Sequence, residues 1–154
     1  MTRPMPADMI IFNSHYEPVL LVEVMYWPKT SVKRATETRE VILERDNLPK
    51  ARYLLIAAPD RFYLWTDQAN SSPSAPPDYV IDPTPILQPY LEKGRITLGK
   101  LGLEWFRSIV SSWVGRLTWE FPIPRRLPKG QEWLRESGLL KAVRGGAEAA
   151  EVLV

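Results

Sequence analysis

The sequence predicts an α/β domain, built on a mixed four-stranded sheet with flanking helices and followed by a helical C-terminal extension. Three observations lead there. Apolar runs of strand length recur at residues 8–13, 18–27, 53–58 and 62–65. A charged, cappable segment from Thr30 or Ser31 to about Asp46 separates the second run from the third. A stripe at helical spacing, Phe106, Ile109, Val110, Trp113, Val114 and Leu117, then follows the strands.

The first two runs flank the polar stretch Asn13-Ser14-His15-Tyr16-Glu17, which is short enough for an antiparallel hairpin. In the second run Val19, Leu21, Glu23, Met25 and Trp27 point one way, and Leu20, Val22, Val24 and Tyr26 the other. Both faces are apolar, which marks a central strand covered on two sides. The helix that follows has a modest apolar stripe and stops at Leu48-Pro49. Tyr53–Ala58, the turn Pro59-Asp60-Arg61 and Phe62–Trp65 give a buried strand, a tight turn and another strand. Residues 66–77 lack apolar periodicity and are rich in turn formers, so a flexible, exposed loop is expected. Pro85–Leu91 forms a short helix or turn with an interior proline. A last amphipathic piece carries Trp133, Leu134, Leu139, Leu140 and Val143, and Gly145-Gly146 stops it ahead of a frayed tail. The chain reads as a single domain, 1–154, divided into a core (6–65), the loop (66–77), the helical extension (84–143) and the tail (145–154).

Composition narrows the chemistry. With 154 residues, 45% of them hydrophobic, the chain is long enough for one core. A net charge of +2 is too small to mark a polyanion binder, so nucleic-acid binding would require a local basic face. The absence of cysteine excludes disulfides and thiolate metal sites, leaving carboxylates and the single His15 as side-chain ligands, a set suited to hard cations. No run is long enough to cross a bilayer, and Met1–Pro6 has no apolar secretion segment, so a cytoplasmic protein without membrane attachment is expected. Exposed sheet edges would allow a homo-oligomer.

Two acids stand inside strands. Asp8 opens the first apolar run and Glu23 sits in the middle of the second. A carboxylate in a core strand is costly to bury unless a cation meets it, so the pair suggests a metal or catalytic site. The plain alternatives are a solvated strand-entry aspartate and a glutamate paired with an arginine such as Arg34 or Arg39.

The pattern Pro6-Ala7-Asp8, a hairpin, then Glu23-Val24-Met25 resembles the PD-(D/E)XK nuclease superfamily. The phrases Leu48-Pro49-Lys50-Ala51, Ala58-Pro59-Asp60-Arg61-Phe62-Tyr63-Leu64-Trp65, Ile81-Asp82-Pro83 and Leu87-Gln88-Pro89-Tyr90 are similar to a group of small bacterial proteins, cyanobacterial among others, assigned to that fold. The resemblance implies a restriction-endonuclease-like core and phosphodiester hydrolysis with Mg2+ or Mn2+. Asp8, Glu23 and the Val24 carbonyl would be the metal ligands, and nucleic acid the partner. A divalent cation neutralises the phosphate oxygens and acidifies the attacking water. Two departures stand out. Met25 occupies the place of the family's lysine, and its thioether carries no charge. Lys29 or Lys33 would have to substitute, and otherwise the domain is inactive and serves as a nucleic-acid-binding or protein-interaction module. The seven residues before Asp8 also leave no room for the helix that usually precedes the first strand.

Overall fold

The computed structural model describes residues 6–94, 102–119, 127 and 129–149. Alternating apolar residues form the strands β1 (Met9–Phe12) and β2 (Pro18–Val24). They are joined by a turn in which the Asn13 side chain accepts from the His15 and Glu17 amides, at 2.9 and 3.0 Å. Helix α1 (Val32–Leu43) starts at Ser31, whose hydroxyl accepts from the Arg34 amide at 3.1 Å. This side-chain cap satisfies one of the otherwise orphaned first-turn donors. Next come β3 (Tyr53–Ala57), β4 (Phe62–Trp65), a short 3-10 turn at Gln68–Asn70, and β5 (Tyr79–Ile81). The chain then forms α2 (Thr84–Gly94), α3 (Leu103–Leu117), α4 (Trp133–Glu136), α5 (Leu139–Val143) and β6 (Ala147–Glu148).

The sheet order is β5-β4-β3-β2-β1-β6. Only β2 and β3 run parallel, because α1 carries the chain back between them; the other neighbours are antiparallel. The architecture is therefore α/β with a mixed sheet and flanking helices, as expected, but the sheet has six strands and not four. Both extra strands lie at the edges and are too short for a period-two signal. β5 has three residues behind a proline-rich stretch, and β6 has two in an Ala/Glu segment of low strand propensity.

Each face of the sheet has its own core. On one side Ile10, Leu21, Met25, Leu54, Ile56 and Trp65 pack with Ala35 and Ile42 of α1. On the other, Ile11, Leu20, Val22, Leu55 and Leu64 meet Phe106, Val110 and Trp113 of α3 together with α2, α4 and α5. The face assignment read from β2 is observed for Leu21 and Met25, towards α1, and for Leu20 and Val22, towards α3, but not for Val19, which packs with Leu20 on the α3 side because the β1–β2 register shifts between Ile11 and Phe12.

The 66–77 stretch is a largely exposed loop with one short 3-10 turn, but it is anchored, and part of the segment read as a frayed tail forms a strand. Buried Arg39 of α1 donates to the Gln68 side chain at 3.0 Å and to the Ser72 and Pro73 carbonyls at 2.6 and 3.2 Å, while Trp65 Nε1 donates to Ala75 O at 2.9 Å. These bonds stitch the 66–77 stretch onto the core. In the segment read as a frayed tail, Ala147 and Glu148 pair with β1, and the Ala149 amide reaches Ile10 O at 2.8 Å. Gly146 makes this possible: a Cβ there would lie 1.8 Å from the Phe12 carbonyl oxygen. Residues 150–154 lie outside the described residues. Among the described residues, no helix is long and apolar enough to cross a membrane.

Candidate functional site

Register brings the two acids together. Met9 pairs with Val22, so the next step of the same antiparallel ladder sets Asp8 beside Glu23, on the α1 face and at the end where β2 leaves the sheet. That is also the carboxyl end of the parallel pair β2–β3, where ligands of α/β sheets commonly bind. The Val24 amide donates to Asp8 Oδ2 at 2.7 Å, fixing the aspartate against β2. The Asp8 and Glu23 side chains lie within hydrogen-bonding range of each other. Burial raises the Glu23 carboxyl from its ordinary 4.5 to about 7, and the Asp8 hydrogen bond and charge push the same way, against Arg45. Burial thus disfavours a full negative charge on Glu23 beside Asp8, which suits the pair to sharing a proton or a cation.

Two arginines stand against it. Arg45, just past the end of α1, donates to Glu23 Oε2 and also to the Pro6 carbonyl at 3.1 Å. Arg107, from α3 on the opposite face, donates to Asp8 Oδ1 at 3.2 Å. The glutamate's partner is thus Arg45, not Arg34 or Arg39. Arg34 lies over the Trp27 ring at 4.0 Å, and Arg39 is committed to the 66–77 segment. Sequence reasoning identified the need for a cation but not its source. Arg45 lies 22 residues from Glu23, and Arg107 lies 99 from Asp8 on an element with no local signal linking it to the acids.

The remaining candidates lie around this centre without joining it. Met25 is buried in the α1-side core, and the Thr38 hydroxyl donates to its sulfur at 3.4 Å. Its backbone amide bonds Ala57 O at 2.9 Å and so prolongs the β2–β3 pairing. Lys29 is exposed in the turn beyond β2. Lys33 is exposed on the first turn of α1, 3.9 Å from Glu37. His15 is exposed in the β1–β2 turn, at the other end of β2 from Glu23. Among the described residues, no group of three or more His, Asp or Glu side chains could hold a metal. Magnesium needs only one or two carboxylates when waters complete its shell, so Asp8, Glu23 and the Val24 carbonyl suit a hard cation chemically. Such an ion would nevertheless have to compete with guanidinium groups already on both acids. A cleft of about 930 Å3 opens beyond Arg45, beside Lys50 and Arg52, but neither acid lines it.

Comparison with protein-family models, with curated proteins and with solved structures finds no match to the chain.

Proposed function

We propose that this chain is a PD-(D/E)XK-type nuclease domain that keeps the acid pair but has lost phosphodiester hydrolysis, and that it acts as a nucleic-acid-binding module. One observation carries the reading: both acids are met by arginines, while the lysine's place is taken by a methionine packed in the core. A guanidinium neutralises a carboxylate, but it neither acidifies a water nor bridges two phosphate oxygens as a divalent ion does. An Asp–Glu pair neutralised in this way leaves a domain end that a polyanion can approach.

A second reading, an active Mg2+- or Mn2+-dependent endonuclease, is favoured by the Asp8–Glu23 proximity and the elevated Glu23 value. In that case Asp8, Glu23 and the Val24 carbonyl would hold the ion, and Lys29 or Lys33 would supply the missing charge. The bound ion would supply phosphate neutralisation and an acidified water. The two readings separate in a cleavage assay with Mn2+ on plasmid and single-stranded substrates. Wild type is expected to leave both intact. Met25→Lys combined with Arg45→Ala, checked for folding by thermal melting, is expected to gain Mn2+-dependent cleavage, as a decayed nuclease should once the guanidinium no longer competes for Glu23. Cleavage by wild type that disappears in Glu23→Ala would refute the loss of catalysis.

A further inference from the structure

On the side away from β6 the sheet ends in β5, which pairs with β4 alone. Among the described residues, no backbone bond reaches its other edge. The direction of its free groups follows from the ladder. The Ala58 amide donates to Arg61 O at 3.0 Å, next to the Ala57–Phe62 pair, so Tyr63 turns its N–H and C=O to β3 while Phe62 and Leu64 turn theirs to β5. The Asp78 amide, donating to Leu64 O at 2.9 Å, agrees with this. Val80, opposite Tyr63, therefore points its own N–H and C=O away from β4, and its side chain is 49% exposed.

Beside this edge a groove of about 650 Å3 separates β5 from α4. Its apolar lining is Tyr79, Ile81, Pro85 and Trp133, and its charged lining is Asp82, Glu132 and Glu136 against Lys129. Trp133 is 6% exposed, and its indole Nε1 has no acceptor. Asp82 stays ionised, because the Thr84 amide and hydroxyl donate to it and hold its carboxyl below the usual range. Asp78, at the other end of β5, accepts from uncharged donors, the Thr66 amide and hydroxyl. Arg39 and Arg61 act on these two acids but are bonded elsewhere, to Gln68 and to Asp60 O.

Two occupants suit an open strand edge, and charge separates them. A second copy related by a two-fold at Val80 would set Asp78 of one chain directly opposite Asp82 of the other, like against like. A basic extended segment would meet both acids favourably. We propose that β5 takes on an added strand from a basic peptide. Its backbone bonds Val80, its apolar side chains lie on Tyr79, Ile81 and Trp133, and its lysines or arginines face Asp78 and Asp82. This goes beyond the function proposed above, since β5 lies three strands from β2 and its Glu23.

The test is fluorescence anisotropy of a labelled peptide of alternating lysine and valine, about eight residues long, at low salt. Wild type should bind it and discriminate against a glutamate–valine peptide of equal length. In the proposed register the lysine amides face Val80 and the valine amides face away, so N-methylation of the lysine amides should weaken binding about fivefold or more, and N-methylation of the valine amides should be tolerated. Val80→Pro removes the outward N–H without breaking a bond to β4 and should weaken binding to a similar extent. Asp82→Asn, which keeps an acceptor for Thr84, should also lower the affinity, and thermal melting checks that both variants are folded. Absence of binding, equal affinity for the glutamate peptide, or indifference to lysine N-methylation would overturn the proposal. A dimer in sedimentation that Val80→Pro dissociates would overturn it too, by giving the edge to a second copy.

Discussion

Replacing Glu23 by glutamine should stabilise the protein in alkaline solution and leave it nearly unchanged in acid. Glutamine has almost the same shape. Its carbonyl can still accept from Arg45, and its amide can donate to Asp8, as the protonated carboxyl does. The Glu23 side chain is 12% exposed, and its carboxyl is raised from 4.5 to about 7, first by burial and then by Asp8. Because the folded value lies above the unfolded one, the glutamate's contribution is fully present below about pH 4.5 and is lost as pH rises through about 7. The difference between 4.5 and about 7, at ~1.4 kcal/mol per pH unit, sets an upper bound of about 3–4 kcal/mol. Urea unfolding of wild type and Glu23→Gln, measured at about pH 5 and about pH 8.5, isolates this group, since every other titration is common to both chains. The variant is expected to match wild type at the lower pH and to exceed it by roughly 2–3 kcal/mol at the higher. Parallel curves for the two proteins would mean that Glu23 does not share a desolvated site with Asp8.

Arg39→Met should cost roughly 1–2 kcal/mol, because it removes the charged donor that ties the partly exposed Gln68 side chain and the exposed Ser72 and Pro73 carbonyls to α1, acceptors that water can then reach. It should also open residues 67–77 to limited proteolysis, and an unchanged digestion pattern would contradict the stitching role. Gly146→Ala forces a Cβ onto the Phe12 carbonyl and should destabilise by about 2–3 kcal/mol. Hydrogen exchange at the Ala149 amide, bonded to Ile10 O, should accelerate more than exchange in β3, and uniform protection would show that β6 does not depend on that glycine.

Much of the interior could be read from residue patterns. The doubly apolar β2, the Ser31 cap and the Phe106-Ile109-Val110-Trp113 stripe each announce their element locally, and each forms where expected. The edge strands could not be read this way: β5 and β6 are held by their neighbours, and the close approach at Gly146 exists only once β1 is in place. The last amphipathic piece divides into α4 and α5 because Gly138 adopts φ +79 between them, where a Cβ would lie 2.9 Å from the Tyr53 hydroxyl. At the site, Asp8 and Glu23 were visible because acids are out of place in apolar strands. Arg45 and Arg107 were not, since long-range ion pairs leave no trace in spacing. The same limit applies to the 66–77 segment, whose anchors are the Trp65 indole and Arg39, an arginine on a helix otherwise rich in solvated charge.

The claim that arginine has taken the cation's seat is tested most directly by calorimetric titration of Mn2+ into wild type and Arg45→Ala. Wild type is expected to give little heat, and the variant to bind measurably more tightly once the guanidinium no longer competes for Glu23. Tight Mn2+ binding by wild type, unaffected by Arg45→Ala and abolished by Glu23→Ala, would contradict the account and restore a working metal centre.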